Sequence, residues 1–294
     1  MKTALRTYFA EFVGTFIYVF FALLQNSAGS IAGGLVGSDG AVIDGLGVTL
    51  AIYCTGYISG AHLNPAVTIA LAAWASFPWS NVVGYIAAQF IGALCAAGLN
   101  YGLYSSTVSR YEELNGIVRG SPGSERTAMI FGEYFPNPAS YIIPAGASPE
   151  ILATLQAHVT PGLAFASECV GTAILMLIIL CLIDKKNASI SPPLIPLFIG
   201  ATVFAIVAVL APISQAGLNP TRDFAPRLVA LAAGWGKIAI PGPQNGFWVY
   251  IVGPIVGAQV GAAFHYVLFK FGVNDEFALP SGRVEDEHHE LKSV

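Results

Sequence analysis

GAHLNPAV, at residues 60–67, and GLNPTRDF, at residues 217–224, decide how this chain is read. Each sets Asn-Pro after a Leu and just ahead of an apolar run. Asn is a favoured N-cap and Pro a favoured first helical residue, so each turn predicts a helix start. The helices that follow are short. Pro65 to Trp74 is ten residues, about 15 Å of helix at about 1.5 Å per residue. That is half of a hydrocarbon core roughly 30 Å thick. Pro220 to Ala233 has a comparable reach, although Pro226 interrupts it. One such turn is an ordinary helix entry; two of them, 155 residues apart, predict half-helices that start at mid-membrane.

The rest of the composition agrees with a lipid-facing surface. Of 294 residues, 55% are hydrophobic and 10% charged, and the mean hydropathy is +0.66. A soluble domain carries about 25% charged residues, enough to cover a wet surface, and this chain does not. The 32 Gly and 18 Pro suit membrane helices. The net charge of −4 is small and spread out, and points to no acidic, basic or nucleic-acid partner. Cys54, Cys95, Cys169 and Cys181 lie in apolar runs without ligand-like spacing, which predicts packing rather than a disulfide or a metal.

Six apolar stretches are long enough to span: about 8–29, 41–59, 81–104, 163–183, 194–213 and 246–270. The first carries Glu11 and lacks a small-residue cleavage site, so it is not read as a signal peptide. A repeat organises them. FAEFVGTFI begins at Phe9 and FASECVGTAI at Phe165, which aligns Glu11 with Glu168 at a separation of 157, close to that of the two Asn. Each half then holds three spans and one half-helix. Because three is odd, the second half inserts upside down, and inverted repeats place their shared site near the midplane. The expected organisation is an all-α membrane domain over 1–272, with repeats at about 8–104 and 163–270, an outer loop at 105–160, and a polar tail at 273–294.

Such a constriction is chemically restrictive. Two half-helices aim their positive dipole ends at one point and oppose cations there. Asn64 and Asn219 offer amide donors. The non-helical segments ahead of them (Gly60, Ala61, His62 and Leu63; Ala216, Gly217 and Leu218) offer carbonyl acceptors along a lumen. A neutral hydroxylic solute finds donors and acceptors; an ion finds a poor substitute for its water.

These features resemble the aquaporin, or major intrinsic protein, family. GLGVTLAIYCTGYISGAHLNPAVTIAL, YGLY, AGWGK and GPIVGAQVGA are most similar to its aquaglyceroporin branch, and the likeness runs to about residue 270. The resemblance implies passive permeation of glycerol, water and small neutral solutes, no cofactor, no catalytic residue and a homotetramer with one pore per subunit. It further implies cytoplasmic termini in a plasma or bacterial inner membrane. It carries over Asn64, Asn219 and Arg222 as pore residues, Glu11 and Glu168 as buried braces, and Asp223 as the acidic residue typical of the glycerol branch.

The family's outer filter falls here on Asp44, Val207, Ala216 and Arg222, without the aromatics usual in glycerol channels, which predicts a wide, polar filter. The second turn has Thr221 where Ala is usual, and Tyr250 stands where Pro is usual. Asp44 has two readings: a carboxylate facing the pore and paired with Arg222, or a solvated cap at the outer end of its span. Arg222 could instead pair with its neighbour Asp223, the two Glu could relay protons, and His62 could sense pH. Gly253, Gly257 and Gly261, four apart, predict a helix-packing stripe. Lys2, Arg6, Lys185, Lys186 and Lys270 favour an inside N-terminus. Rival readings are a strict water channel, a closed-pore junctional protein of the same fold, and a secondary transporter.

Overall fold

A computed structural model describes residues 2–35, 38–140, 149–187 and 189–270. The tail at 273–294 lies outside the described residues, as does Ala188. Among the described residues the secondary structure is all helical, and six helices are long and apolar enough to cross a bilayer. They are α1 (Lys2–Ser30), α2 (Asp39–Ser59), α4 (Trp79–Asn115), α7 (Pro161–Ile183), α8 (Ile195–Ser214) and α10 (Val249–Lys270). Two short helices, α3 (Pro65–Trp74) and α9 (Pro220–Ala230), follow the Asn-Pro turns.

The third span overruns its predicted end. α4 continues to Asn115, so the first eleven residues of the expected outer loop are helical, and Gly116 in the left-handed region (φ 62°) ends them. The remainder holds two short helices, α5 (Glu125–Ala128) and α6 (Pro149–Gln156). The second half-helix is shorter than expected. It gives way at Leu231 to a wider π turn that reaches Trp235, and Gly234 inside that turn takes φ 104°.

The two halves pack alike. α1 lies against α4 and α7 against α10, while α2 and α8 join the halves. Small residues set these approaches. A Cβ on Gly92 would lie 2.4 Å from the Phe12 carbonyl oxygen, and one on Gly257 would lie 2.3 Å from that of Cys169. Phe12 and Cys169 each follow a repeat-equivalent Glu, so this is one contact built twice. Gly261 is as tight, 2.1 Å from the Ala173 oxygen. Gly257→Val should therefore force α7 and α10 apart and cost at least about 1–3 kcal/mol, the usual range for overpacking. Thermal unfolding in detergent checks it, and an unchanged midpoint would contradict the packing role of the stripe.

Candidate functional site: two cavities joined at a polar constriction

Both loops ahead of the short helices run through the left-handed region at non-glycine residues: Ala61 and Leu63 (φ 49° and 54°), then Ala216 and Leu218 (φ 57° and 53°). Such conformations cost on the order of 1–3 kcal/mol each and persist only when neighbours over-determine them. Here the neighbours are carboxylates. Glu11, fully buried, accepts from the His62 and Leu63 backbone N–H groups (both 2.9 Å), from Ser59 Oγ (2.7 Å) and from Gln89 Nε2 (2.8 Å). Glu168 accepts from Gly217 N (3.0 Å), Leu218 N (2.7 Å) and Ser214 Oγ (2.7 Å). The two sets correspond residue for residue, apart from Gln89.

The Asn side chains do two things at once. Asn64 Oδ1 accepts from Ala66 N (2.9 Å), and Asn219 Oδ1 from Thr221 N and Arg222 N (3.0 and 3.3 Å). With the oxygen turned to its own helix, each Nδ2 points away. Asn64 Nδ2 donates to the Leu218 carbonyl and Asn219 Nδ2 to the Leu63 carbonyl, both at 2.8 Å. The helix starts thus abut and brace one another. Each amide keeps one further N–H, while the Leu63 and Leu218 carbonyls, expected to face a lumen, are already engaged as acceptors.

A cavity of about 520 Å³ runs past both Asn and is lined also by His62, Leu63, Ala216 and Leu218. A second, of about 490 Å³, opens on the side of the long loop. Asp44, Val207 and Arg222 line both, so the cavities meet at these three residues; Ala216 lines the first alone. His62 is held at its side by Phe77 and Tyr85 (centroids 4.5 and 4.8 Å) and by Thr68 Oγ1 at 3.3 Å.

The Asp44–Arg222 pair, one of the two readings of Asp44, is not what the structure contains. Arg222 Nη2 lies 2.5 Å from Glu133 Oε1, with both side chains buried. Asp44 instead accepts from Gln25 Nε2 at 3.4 Å, and its Oδ1 has no partner among the described residues. The cause is the long loop, which folds back far enough to bring its own carboxylate. The Glu133 N–H donates to Asp223 Oδ1 (2.7 Å), and its carbonyl accepts from Arg227 Nη2. Burial raises the pKa of the Glu133 carboxyl, and the Arg222 charge opposes that rise. Nor does Asp223 pair with Arg222: both its oxygens accept from Arg227 Nε (2.9 and 2.8 Å). The YFPNPAS segment of the loop lies against the end of α8, through Tyr134 N to Gln215 Oε1 (2.7 Å) and Asn137 Nδ2 to the Ala211 carbonyl (2.9 Å).

Two residues at this level were not found from the sequence. Glu133 sits in a polar loop with nothing local to mark it. Tyr18 lies in an apolar run yet lines the first cavity together with Arg222. The constriction therefore has an aromatic neighbour after all, from α1 rather than α2.

Comparison with known proteins places this architecture. The family model described as "Major intrinsic protein" matches residues 1–266. The glycerol uptake facilitator protein of Escherichia coli (strain K12) is 43% identical over 256 residues, covering 86% of this chain and 84% of that protein. The propanediol uptake facilitator of Citrobacter freundii is 42% identical over 262 residues, covering 88% and 90%. Among solved structures, the X-ray structure of the aquaglyceroporin from Plasmodium falciparum superposes with a TM-score of 0.72 at 26% identity, covering 89% of this chain and 95% of that one.

Proposed function

Because this chain belongs to the major intrinsic protein family, it is a membrane channel and not an enzyme, and we propose that it carries glycerol, water and other small neutral solutes passively across a lipid bilayer. The observation that carries this reading is the pair of cavities joined where Asp44, Val207 and Arg222 line both. Relatives named for glycerol and propanediol uptake support it.

In this reading Asp44, Val207, Ala216 and Arg222 form the filter, and a solute passes from it to the spare N–H groups of Asn64 and Asn219. The carbonyls of Gly60, Ala61, His62, Ala216 and Gly217 accept its hydroxyls along the way. Two abutting helix N-termini oppose cations, including a hydrated proton. Glu11, Glu168 and Asp223 act as braces, with their oxygens occupied by donors rather than by a moving proton. The termini and the Lys185–Lys186 loop face the cytoplasm of a plasma or bacterial inner membrane, and four subunits assemble, each with its own pore.

Light scattering of proteoliposomes tests the reading. Fast shrinkage in an impermeant osmolyte, followed by fast reswelling in glycerol, is expected. Shrinkage without reswelling would mean a strict water channel. Asp44→Trp should then lower glycerol permeability about tenfold relative to water, the order by which a pocket discriminates on size. If the ratio between solutes stays unchanged, the carboxylate does not form the filter.

A further inference from the structure

We propose that Tyr18, on α1, is a specificity-determining residue of this channel, supplying the aromatic wall that position 44 lacks and setting the largest linear polyol that passes. The inference rests on the neutral-solute reading above and deepens it.

The backbone packing brings Tyr18 there. α1 approaches α2 closely because α2 offers glycines. A Cβ on Gly47 would lie 3.0 Å from Phe21 Cβ, and one on Gly40 would lie 2.3 Å from Gln25 Oε1. Asp44 lies between those two glycines, one turn from each. On α1, Tyr18, Ala22 and Gln25 follow helical spacing on one face. Gln25 donates to Asp44 Oδ2, Ala22 is fully buried, and Tyr18 lines the first cavity. The stripe thus runs along the constriction, with its amide at the Asp44 level and its ring on the side of the two Asn.

The polar groups nearby are arranged as a site with an opening. Arg222 is held at Nη2 by Glu133, while its Nη1 has no hydrogen-bond partner among the described residues. Asp44 Oδ1 is likewise without one. A buried donor and a buried acceptor left open at the meeting of two cavities suit a solute that offers both, as adjacent hydroxyls do. Tyr18 is 7% exposed and belongs to the main hydrophobic core cluster, so its ring is a fixed wall. Asp44 is too short to fill the space a large aromatic would take. The ring of Tyr18, beside Arg222, is what limits the width available to the carbon chain of the solute.

The test is stopped-flow permeation of glycerol, erythritol, xylitol and water through proteoliposomes carrying the full chain. Tyr18→Ala should raise the xylitol-to-glycerol permeability ratio by about tenfold or more, in line with pocket discrimination by size. Tyr18→Phe should leave that ratio unchanged, and Tyr18→Trp should lower glycerol relative to water. A Tyr18→Ala channel that passes glycerol with the wild-type ratio overturns the inference while leaving the neutral-solute reading intact. Wild-type protein that passes water but no polyol overturns both. If Tyr18→Ala does not fold, Tyr18→Trp decides, since an unchanged glycerol-to-water ratio in that variant removes the ring from the filter.

Discussion

Asp223→Ala is expected to cost about 3–5 kcal/mol of stability, the usual effect of leaving one member of a buried ion pair unpartnered. Arg227 is 1% exposed and donates through Nε to both Asp223 oxygens. Its other nitrogens reach the Ala239 and Glu133 carbonyls, and the Tyr134 ring lies 4.6 Å from its carbon. Removing the carboxylate strands that charge and also the Glu133 N–H, so it loosens the loop residue that holds Arg222. At roughly 2–4 °C per kcal/mol for a chain of this size, the thermal midpoint should fall by about 10 °C. Asp223→Ala with Arg227→Met should recover part of the loss, because the stranded charge goes with the arginine. A single variant that unfolds with the wild type would contradict this account.

The second large effect is expected at Glu168. Glu168→Ala frees Ser214 Oγ, Gly217 N and Leu218 N together. A buried donor left without a partner costs about 1–3 kcal/mol. The same bonds hold Ala216 and Leu218 in the left-handed region, so the strained loop relaxes when they go. The expected outcome is a channel that reaches the membrane but has lost most of its glycerol permeability and several degrees of thermal stability. Glu168→Gln, which keeps one acceptor and sets an amide nitrogen against an N–H donor, should fall between. The measurement pairs reswelling rates with unfolding of the same preparation. Full permeability in Glu168→Ala would show that the loop holds itself.

How much of this could be read in advance depends on how local each signal is. The Asn-Pro turns carry their own meaning, since cap and first-turn preferences act within three residues, and the structure begins α3 and α9 at those prolines. The spans declare themselves by length and hydropathy. Glu11 and Glu168 stood out because a carboxylate in an apolar run is conspicuous, and twice at one repeat position more so. Tyr18 and Glu133 had no such contrast. A tyrosine in a membrane helix is unremarkable until the α1–α2 contact turns it inward, and Glu133 reaches Arg222 only through a loop pinned by Asp223 and Gln215. Reading Arg222 beside Asp223 and Asp44 suggested either as its partner, yet a closer anion came from 89 residues away along the chain. The continuation of α4 to Asn115 was hidden for another reason: its last turns are polar, and helix does not stop where lipid does.

The reciprocal bonds between Asn64 and Leu218 and between Asn219 and Leu63 have the form a two-fold axis produces, in which i meets j and j meets i. An interface of that kind is isologous, complementary to a copy of itself. One repeat alone, with three spans and a short helix, carries both halves of the bond: an amide seeking a carbonyl and a carbonyl one residue earlier to receive it. Each half thus carries what is needed to close the same junction with a second copy of itself inserted the other way up. Held in one chain, the two halves meet without a separate partner. Thr68 on one side and Asp223 on the other, at equivalent places after the two turns, show that the halves share a frame without sharing every residue.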